Sequence, residues 1–411
     1  MNTTRRMNIE RRLFLIATAI SAFGLAGLNS MAEAQNESPV KLGLLMPFSG
    51  FGSISAVNHA SGVRAAVAEI NQAGGIAGRQ VQVIEADDQS DPTQTVTQAQ
   101  RLISDARVDA ILGPILSQQG MAIGPILTKA GIPNFSTNGT TQLTPKFAPY
   151  HFSFQPSSRA QGIAMIDYIS TALGAKSAAI LADTGAQARD AVIEMKKYLQ
   201  EKGIALTGEQ EFQPKTADFT PQLLSLQRGN PDAVLLFAPS SEDVGNILKA
   251  RMDLGWTAPV AGGSTVGIAT ASAVQIAGEA GFDGVTGTSF KAWTYCATDS
   301  AKTDTPAFME FVEKLRKQEG KRFDDIDPSA AAAGYVSVYL YKAAVEGAGS
   351  TAGPDVAAWI TKNVGSWPNL YGPLTANDET HHLIGSNLLA QVAEPYNVRE
   401  GDGFQRRADC H

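Results

Sequence analysis

The chain has 411 residues, a formal net charge of −7 and two cysteines, Cys296 and Cys410. Its length is sufficient for two domains of ordinary size. The acidic balance argues against a protein that binds nucleic acid or an anionic membrane surface. Two cysteines are too few for a multi-cysteine metal site, and nothing in the composition indicates a cofactor.

The first 34 residues predict a cleaved secretory signal. A basic stretch precedes a short apolar block, Leu13 to Leu28, and small residues stand at the cleavage positions in Ala32-Glu33-Ala34. A membrane anchor is the alternative, but the block is shorter than the ~20 residues that a span needs. Arg11-Arg12 resembles a twin-arginine signal, so the sequence leaves this route and the general secretory route open. We expect a periplasmic protein that begins near Gln35.

Residues 40–92 predict the order strand, helix, strand. The apolar run Val40 to Met46 has the length of a strand, and apolar residues then recur at helical spacing within residues 63–70. A glycine-rich turn, Gly74 to Gly78, leads into a second strand, Val81 to Ala86. This order is typical of the opening of a parallel α/β sheet.

The same segment resembles the periplasmic leucine/isoleucine/valine-type binding proteins, which are the substrate receptors of ABC importers. Such proteins begin with a strand and a PxSG-like loop, here Pro47 to Gly50, followed by an EINxxGGIxGxxV segment, here Glu69 to Val81. A DDxxDP loop follows, here Asp87 to Pro92, and the resemblance continues to Val392. It implies the α/β fold of the type I periplasmic binding proteins, in which two doubly wound, Rossmann-like lobes are joined by three hinge crossings.

The rest of the chain alternates strands and amphipathic helices in two series, as two α/β lobes require. By resemblance, the first lobe comprises residues 40–156 and 290–370, and the second lobe comprises residues 157–289 and 371–395. Residues 396–411 form a charged tail that contains glycine. We expect this tail to be tethered to the surface or mobile.

Two loops that follow strands of the first lobe are candidate binding elements. In open α/β sheets, ligands bind beyond the carboxyl ends of the strands, where helix N-termini point outward. Ser117 follows one such strand, and Asn138 and Thr140 follow the next. Hydroxyls together with free N–H groups suit a carboxylate, whereas plain helix capping by Ser117 and Thr140 is the alternative. The resemblance implies that Ser117, Asn138 and Thr140 hold the ligand's carboxylate.

The second lobe departs from the pattern of the amino-acid binders. Gln187 and Ser240 stand where the family usually has aromatic residues, and Ser55 replaces an aromatic residue in the first loop. Ser264 stands at or near the place of an acid that meets the ligand's ammonium group. We therefore expect a more polar pocket and a ligand that is not a simple branched-chain amino acid. Asp183, at the end of a strand, is the residue that could still supply the missing anion.

The sequence contains no complete catalytic or metal-binding motif. His381-His382 lies in a polar run that resembles a turn, and no cysteine or further histidine is near in sequence. Gly74-Gly75 and Gly262-Gly263 lack the Lys-Ser/Thr pair of a phosphate-binding loop. Asp87-Asp88 has no partner base. We do not expect an enzyme, which would need a nucleophile, a metal or an acid/base pair in the cleft.

These features predict an extracytoplasmic receptor that closes on a small solute containing a carboxylate or an amide and docks on the membrane permease of an ABC importer. A ligand sensor on the same fold is the alternative, because the partner surface is not recognisable. We expect a monomer that does not bind nucleic acid. Export permits a disulfide, and the sequence leaves open whether Cys296 and Cys410 pair.

Overall fold

The structure is a computed structural model that describes residues 38–50, 52–238, 240–268, 270–296, 306–398 and 404–410. The predicted signal segment, residues 1–34, lies outside the described residues, and its cleavage stays a prediction. Within the described ranges, no helix is long and apolar enough to cross a membrane.

The amino-terminal sheet contains five parallel strands among the described residues. They are β1 (Val40–Met46), β2 (Val81–Asp87), β3 (Ala110–Leu112), β4 (Asn134–Ser136) and β5 (His151–Ser153). The helices between them are α1 (Ser53–Gln72), α2 (Pro92–Arg101) and α3 (Ser117–Ala130). The strand order is β2-β1-β3-β4-β5. The apolar runs of β1 and β3 are buried because helices cover both faces of a parallel sheet.

The remaining strands form a second sheet and a short two-stranded sheet that includes the C-terminal segment. They are β6 (Ser177–Asp183), β7 (Ala205–Phe212), β8 (Ala233–Phe237), β9 (Val260–Gly262), β10 (Val285–Phe290), β11 (Thr294–Tyr295), β12 (Leu389–Ala393) and β13 (Gln405–Arg406). The second sheet has the order β12-β10-β9-β8-β6-β7, and β12 is antiparallel to β10. The fold is therefore α/β with two doubly wound sheets, as predicted.

The remaining helices cover the second sheet or return to the first. They are α4 (Ser158–Thr171), α5 (Ala186–Lys202), α6 (Thr220–Gln227), α7 (Ser241–Asp253), α8 (Ser264–Gly267), α9 (Ala271–Ala277), α10 (Pro306–Glu319), α11 (Pro328–Ala348) and α12 (Gly353–Asn363). Helix α11 packs closely on α1 at Gly62, where the absence of a side chain allows the approach. A Cβ atom at this position would lie 1.9 Å from the carbonyl oxygen of Ala331. The C-terminal half of the chain thus completes the core of the first sheet.

The chain crosses back to the second sheet later than the expected boundary at residue 371. Backbone hydrogen bonds join Ser153 N–H to the His381 carbonyl (3.0 Å) and Leu383 N–H to the Ser153 carbonyl (2.8 Å). Tyr371 and Leu374 are buried in the same core as β1 and β5. Residues 381–383 therefore extend the edge of the first sheet, and β12 joins the second.

The described part of the C-terminal segment is built into the fold. β13 pairs with β11, and Phe404 is fully buried. Cys296 and Cys410 are joined by a disulfide with an S–S distance of 2.04 Å. Residues 404–410 are thus tethered, whereas a mobile tail was the other expectation.

Candidate ligand-binding cleft

Ser117 joins the two first-lobe loops that were predicted to bind ligand. It lies at the start of α3, and its Oγ accepts hydrogen bonds from the N–H groups of Gly139 (3.2 Å) and Thr140 (3.3 Å). The turn before it needs Gly113, whose φ is +95° and whose Cβ atom would lie 2.0 Å from the carbonyl oxygen of Leu45. Ser117 does not cap α3 with its side chain, so its role is to hold the second loop rather than its own helix.

Asn138 and Thr140 are fully buried, and both are bound to other parts of the protein. The Asn138 amide donates to the Pro114 carbonyl at 3.1 Å, while its Oδ1 has no partner within the described structure. The Thr140 hydroxyl donates to the carboxylate of Asp190. The alternative that Thr140 caps a helix does not hold, because no described helix begins there.

Two residues of α5, a helix of the second lobe, contact this loop. Asp190, which is 7% exposed, also accepts hydrogen bonds from Thr141 N–H (3.1 Å) and from the Gln142 side-chain amide (3.1 Å). The amide of Gln187 packs on Gly139, since a Cβ atom there would lie 2.0 Å from Gln187 Nε2. The two lobes are therefore in contact across the cleft at this point.

Ser264 makes a second contact across the cleft and has no charged partner among its recorded hydrogen bonds. Its Oγ accepts from the side-chain amide of Gln155 at 2.9 Å. Its N–H donates to Oε1 of Gln161 at 2.9 Å, and Gln161 is itself fully buried and bound to the Pro156 carbonyl. Ser264, which was predicted at or near the ammonium position of the amino-acid binders, is thus hydrogen-bonded to two neutral glutamine side chains.

Asp183 is buried, and its two oxygens have different environments. One accepts from Gly185 N–H, and Oδ2 has no partner within the described structure. Burial raises the pKa of Asp183 to about 6, the hydrogen bond from Gly185 opposes this rise, and nearby Asp243 adds to it. An ionised Asp183 is therefore less well solvated than a surface carboxylate.

Among the described hydrogen bonds, none joins the two other predicted residues to this group. Ser240 caps α7, accepting from Asp243 N–H at 3.3 Å. Ser55 lies on the exposed face of α1. The structure thus brings Ser117, Asn138, Thr140 and Gln187 into one place, with Ser264 at a second contact between the lobes.

His382, which sequence reasoning assigned to a turn, lies beneath the cleft. Its Nε2 is 3.0 Å from the Thr140 carbonyl oxygen, and its Nδ1 is 3.1 Å from the Gln155 carbonyl oxygen. Burial lowers the pKa of His382. The two carbonyls and the carboxylate of Asp190 raise this pKa, but their effect is smaller. Burial also lowers the pKa of His151 to about 3 and that of His381 to about 4. No cluster of three or more metal-ligating side chains occurs in the described part of the chain.

Sequence reasoning missed Asp190, Gln155, Gln161 and His382. Gln155 precedes Pro156 at the expected first crossing, so its position could have indicated a hinge role. Asp190 and His382 carry no comparable local signal, because each contacts Thr140 from a distant part of the chain.

Comparison with known proteins identifies the family. Residues 39–397 match the family described as "Periplasmic binding protein". The chain belongs to this family. It is a solute-binding protein of the class that serves ABC importers. "Leu/Ile/Val-binding protein homolog 6" of Brucella abortus is 25% identical over 402 residues, covering 95% of this chain and 97% of that protein.

Solved structures share the fold of this periplasmic binding protein. The branched-chain amino acid transporter substrate binding protein LivJ of Streptococcus pneumoniae, in complex with isoleucine, has a TM-score of 0.72 at 22% identity, covering 86% of this chain and 96% of that chain. An ABC transporter solute binding protein of R. palustris, in complex with 4-hydroxybenzoate, has a TM-score of 0.73 at 21% identity. The match covers 90% of this chain and 95% of that chain.

Proposed function

We propose that this receptor binds a small solute that carries a carboxylate or an amide but no ammonium group, and that it delivers this solute to the permease of an ABC importer. The observation that carries the proposal is the environment of Ser264. Its hydroxyl and its N–H are both bonded to glutamine side chains, Gln155 and Gln161. These groups are neutral and cannot offset a buried positive charge.

The charge of the ligand follows from the cost of burial. An ammonium group taken out of water needs an anion or several well-aimed acceptors, because an unpaired buried charge is strongly unfavourable. Two buried acids, Asp183 and Asp190, were described above, and Asp190 already accepts three hydrogen bonds from residues 140–142. Asp183 accepts from Gly185 N–H with one oxygen, its Oδ2 has no partner within the described structure, and burial raises its pKa. Asp190 is therefore already occupied by the protein, and Asp183 is the acid whose pairing with a ligand cation the ligand panel tests.

The walls of the cleft support a polar ligand. Gln187 takes the place of an aromatic ring and lies against Gly139 with its amide. Ser240 takes the place of another ring and is used as a helix cap. An aliphatic side chain would therefore contact amides and hydroxyls rather than the apolar surfaces that would favour its burial.

The known ligands of similar folds span both chemical types. LivJ of Streptococcus pneumoniae holds isoleucine, and the R. palustris protein holds 4-hydroxybenzoate, which has a carboxylate and no ammonium group. The fold therefore accepts either type. Membership of the family indicates an extracytoplasmic location, and we further propose cleavage after Ala34 and a monomeric receptor in the periplasm.

The test is a ligand panel measured by thermal shift and confirmed by calorimetry. It should include leucine, isoleucine, valine, polar amino acids, aliphatic and aromatic carboxylates, and small amides. We expect stabilisation by members of the carboxylate or amide groups and none by the three branched-chain amino acids. Micromolar binding of leucine, isoleucine or valine would contradict the proposal, and a polar amino acid as the tightest ligand would point to Asp183 as the ammonium partner.

A further inference from the structure

Asp190 interacts with the first-lobe loop as a ligand carboxylate would. Oδ2 accepts from the Thr140 hydroxyl and from Thr141 N–H at 3.1 Å, and Oδ1 accepts from the Gln142 amide at 3.1 Å. Asp190 is more than nine-tenths buried. A backbone N–H, a hydroxyl and an amide converging on one carboxylate are the donors with which proteins hold anionic groups.

The other donors of the same loop also have acceptors inside the protein. The N–H groups of Gly139 and Thr140 both donate to Ser117 Oγ. An anion placed at residues 139–142 would therefore have to displace either Ser117 or Asp190. Since Asp190 is fixed in α5, its displacement would also break one of the contacts between the lobes.

The charge of Asp190 disfavours a second anion at this place. Like charges within a few ångströms repel each other strongly where water is excluded. The titratable side chain next to the loop is His382, whose Nε2 lies 3.0 Å from the Thr140 carbonyl oxygen, and burial lowers its pKa, which disfavours a compensating positive charge there. No cation of the loop 139–142 itself offsets the carboxylate, because the loop contains none.

We infer that Asp190 is a specificity-determining residue, which takes up the donors of residues 140–142 from the second lobe and so restricts this end of the cleft to an uncharged polar group. This inference rests on the proposed function and narrows its ligand class from carboxylate or amide to amide. The polar group of the ligand then accepts a hydrogen bond from a donor that Asp190 does not occupy, such as the hydroxyl of Ser117.

The experiment compares matched acids and amides on the full exported protein. Propionate and propionamide, and benzoate and benzamide, are titrated into the wild type, Asp190→Ala and Asp190→Asn. We expect both variants to gain at least tenfold in affinity for the carboxylates, because both remove the repulsion and Asp190→Ala also frees the donors. Affinity for the amides should change less than threefold. Asp190→Asn keeps the side-chain volume should Asp190→Ala fail to fold.

Glu194→Gln is the matched control. Glu194 lies one turn further along α5 and pairs with Arg159 at 2.5 Å, so the change removes an equal charge without touching residues 140–142. It should leave the carboxylate affinity at the wild-type level.

The inference is overturned if neither Asp190 variant gains carboxylate affinity, including the case in which no carboxylate binds either variant detectably. It is also overturned if Glu194→Gln produces the same gain. Failure of the proposed function would be seen elsewhere, as micromolar binding of a branched-chain amino acid to the wild type.

Discussion

The Nε2 atom of His382 lies 3.0 Å from the carbonyl oxygen of Thr140. On the other side of the ring, Nδ1 lies 3.1 Å from the carbonyl oxygen of Gln155. Both carbonyls can only accept, and a neutral imidazole has one N–H, so a neutral ring donates to one of them at a time. The side chains of Thr140 and Gln155 bond to Asp190 and Ser264 of the other lobe. His382 therefore joins the backbones of the two residues that reach across the cleft.

Replacing His382 by leucine should destabilise the protein and weaken ligand binding. Two buried carbonyls would lose their shared partner, and an unsatisfied buried polar group costs about 1–3 kcal/mol. Urea denaturation of the two proteins measures the loss in the free energy of unfolding. His382→Gln, which keeps one donor nitrogen, should recover part of it. Equal unfolding free energies for His382→Leu and the wild type would show that these contacts contribute nothing.

Replacing Ser117 by alanine should weaken ligand binding while the protein stays folded. The change removes the acceptor for two N–H groups, at Gly139 and Thr140, and the hydroxyl proposed to face the ligand. A hydrogen bond to an amide contributes about 0.5–1.5 kcal/mol, or roughly two- to tenfold in affinity, and one to a carboxylate about 1.5–3 kcal/mol, or roughly ten- to a hundredfold. Calorimetry with the best ligand of the panel measures the change.

The control for this variant is Ser104→Ala, which alters an exposed serine of the first lobe. It should bind as the wild type does. An unchanged affinity in Ser117→Ala, with its circular dichroism spectrum intact, would remove Ser117 from the site.

The disulfide between Cys296 and Cys410 should stabilise the exported protein. The cysteines are 114 residues apart, and closing so long a loop restricts the unfolded chain by an amount on the order of 3–5 kcal/mol. Cys410→Ser should lower the free energy of unfolding by up to that amount and release residues 404–410 to proteases. Titration of the unreduced, unfolded wild type should find no free thiol, and two free thiols would contradict the bond.

Acidification should destabilise the protein partly through His59. Burial lowers the pKa of His59 to about 4. The unfolded chain takes up this proton near pH 6.5 and the folded chain only near pH 4, so stability falls as the pH drops through this window. The contribution is about 1.4 kcal/mol per pH unit. Burial raises the pKa of Asp88 to about 6, which acts in the opposite direction.

Denaturation series at pH 6.5, 5.5 and 4.5 check this contribution. His59→Leu should show a shallower loss of unfolding free energy on acidification than the wild type. Asp88→Asn should show a steeper loss, because it removes the opposing contribution. Parallel pH dependence in His59→Leu and the wild type would mean that His59 is protonated in the folded state.

The first strand could be predicted from sequence to the residue, and the second to within one residue. The structure has the same limits for Val40–Met46, and the strand predicted over Val81 to Ala86 continues to Asp87. The three-residue strands His151–Ser153 and Val260–Gly262 were missed, because so short a run has no periodicity. Their pairing depends on neighbours in the sheet rather than on their own residues.

The proximity of the first-lobe candidate residues was predictable, and their contacts with distant residues were not. Ser117 and Thr140 follow adjacent parallel strands, whose carboxyl ends must lie at one edge of the sheet. Asp190 and His382 reach Thr140 from 50 and 242 residues away. Nothing local marks either residue, since their roles arise when the second lobe and the last crossing fold against the loop.

The most direct test is the chemical identity of the small molecule that co-purifies with the exported receptor. Native mass spectrometry gives the mass of the bound species, and its release followed by amine-specific labelling shows whether it carries an ammonium group. The account predicts a small carboxylic acid or amide that does not react with the label. A retained leucine, isoleucine or valine, or any bound primary amine, would contradict it.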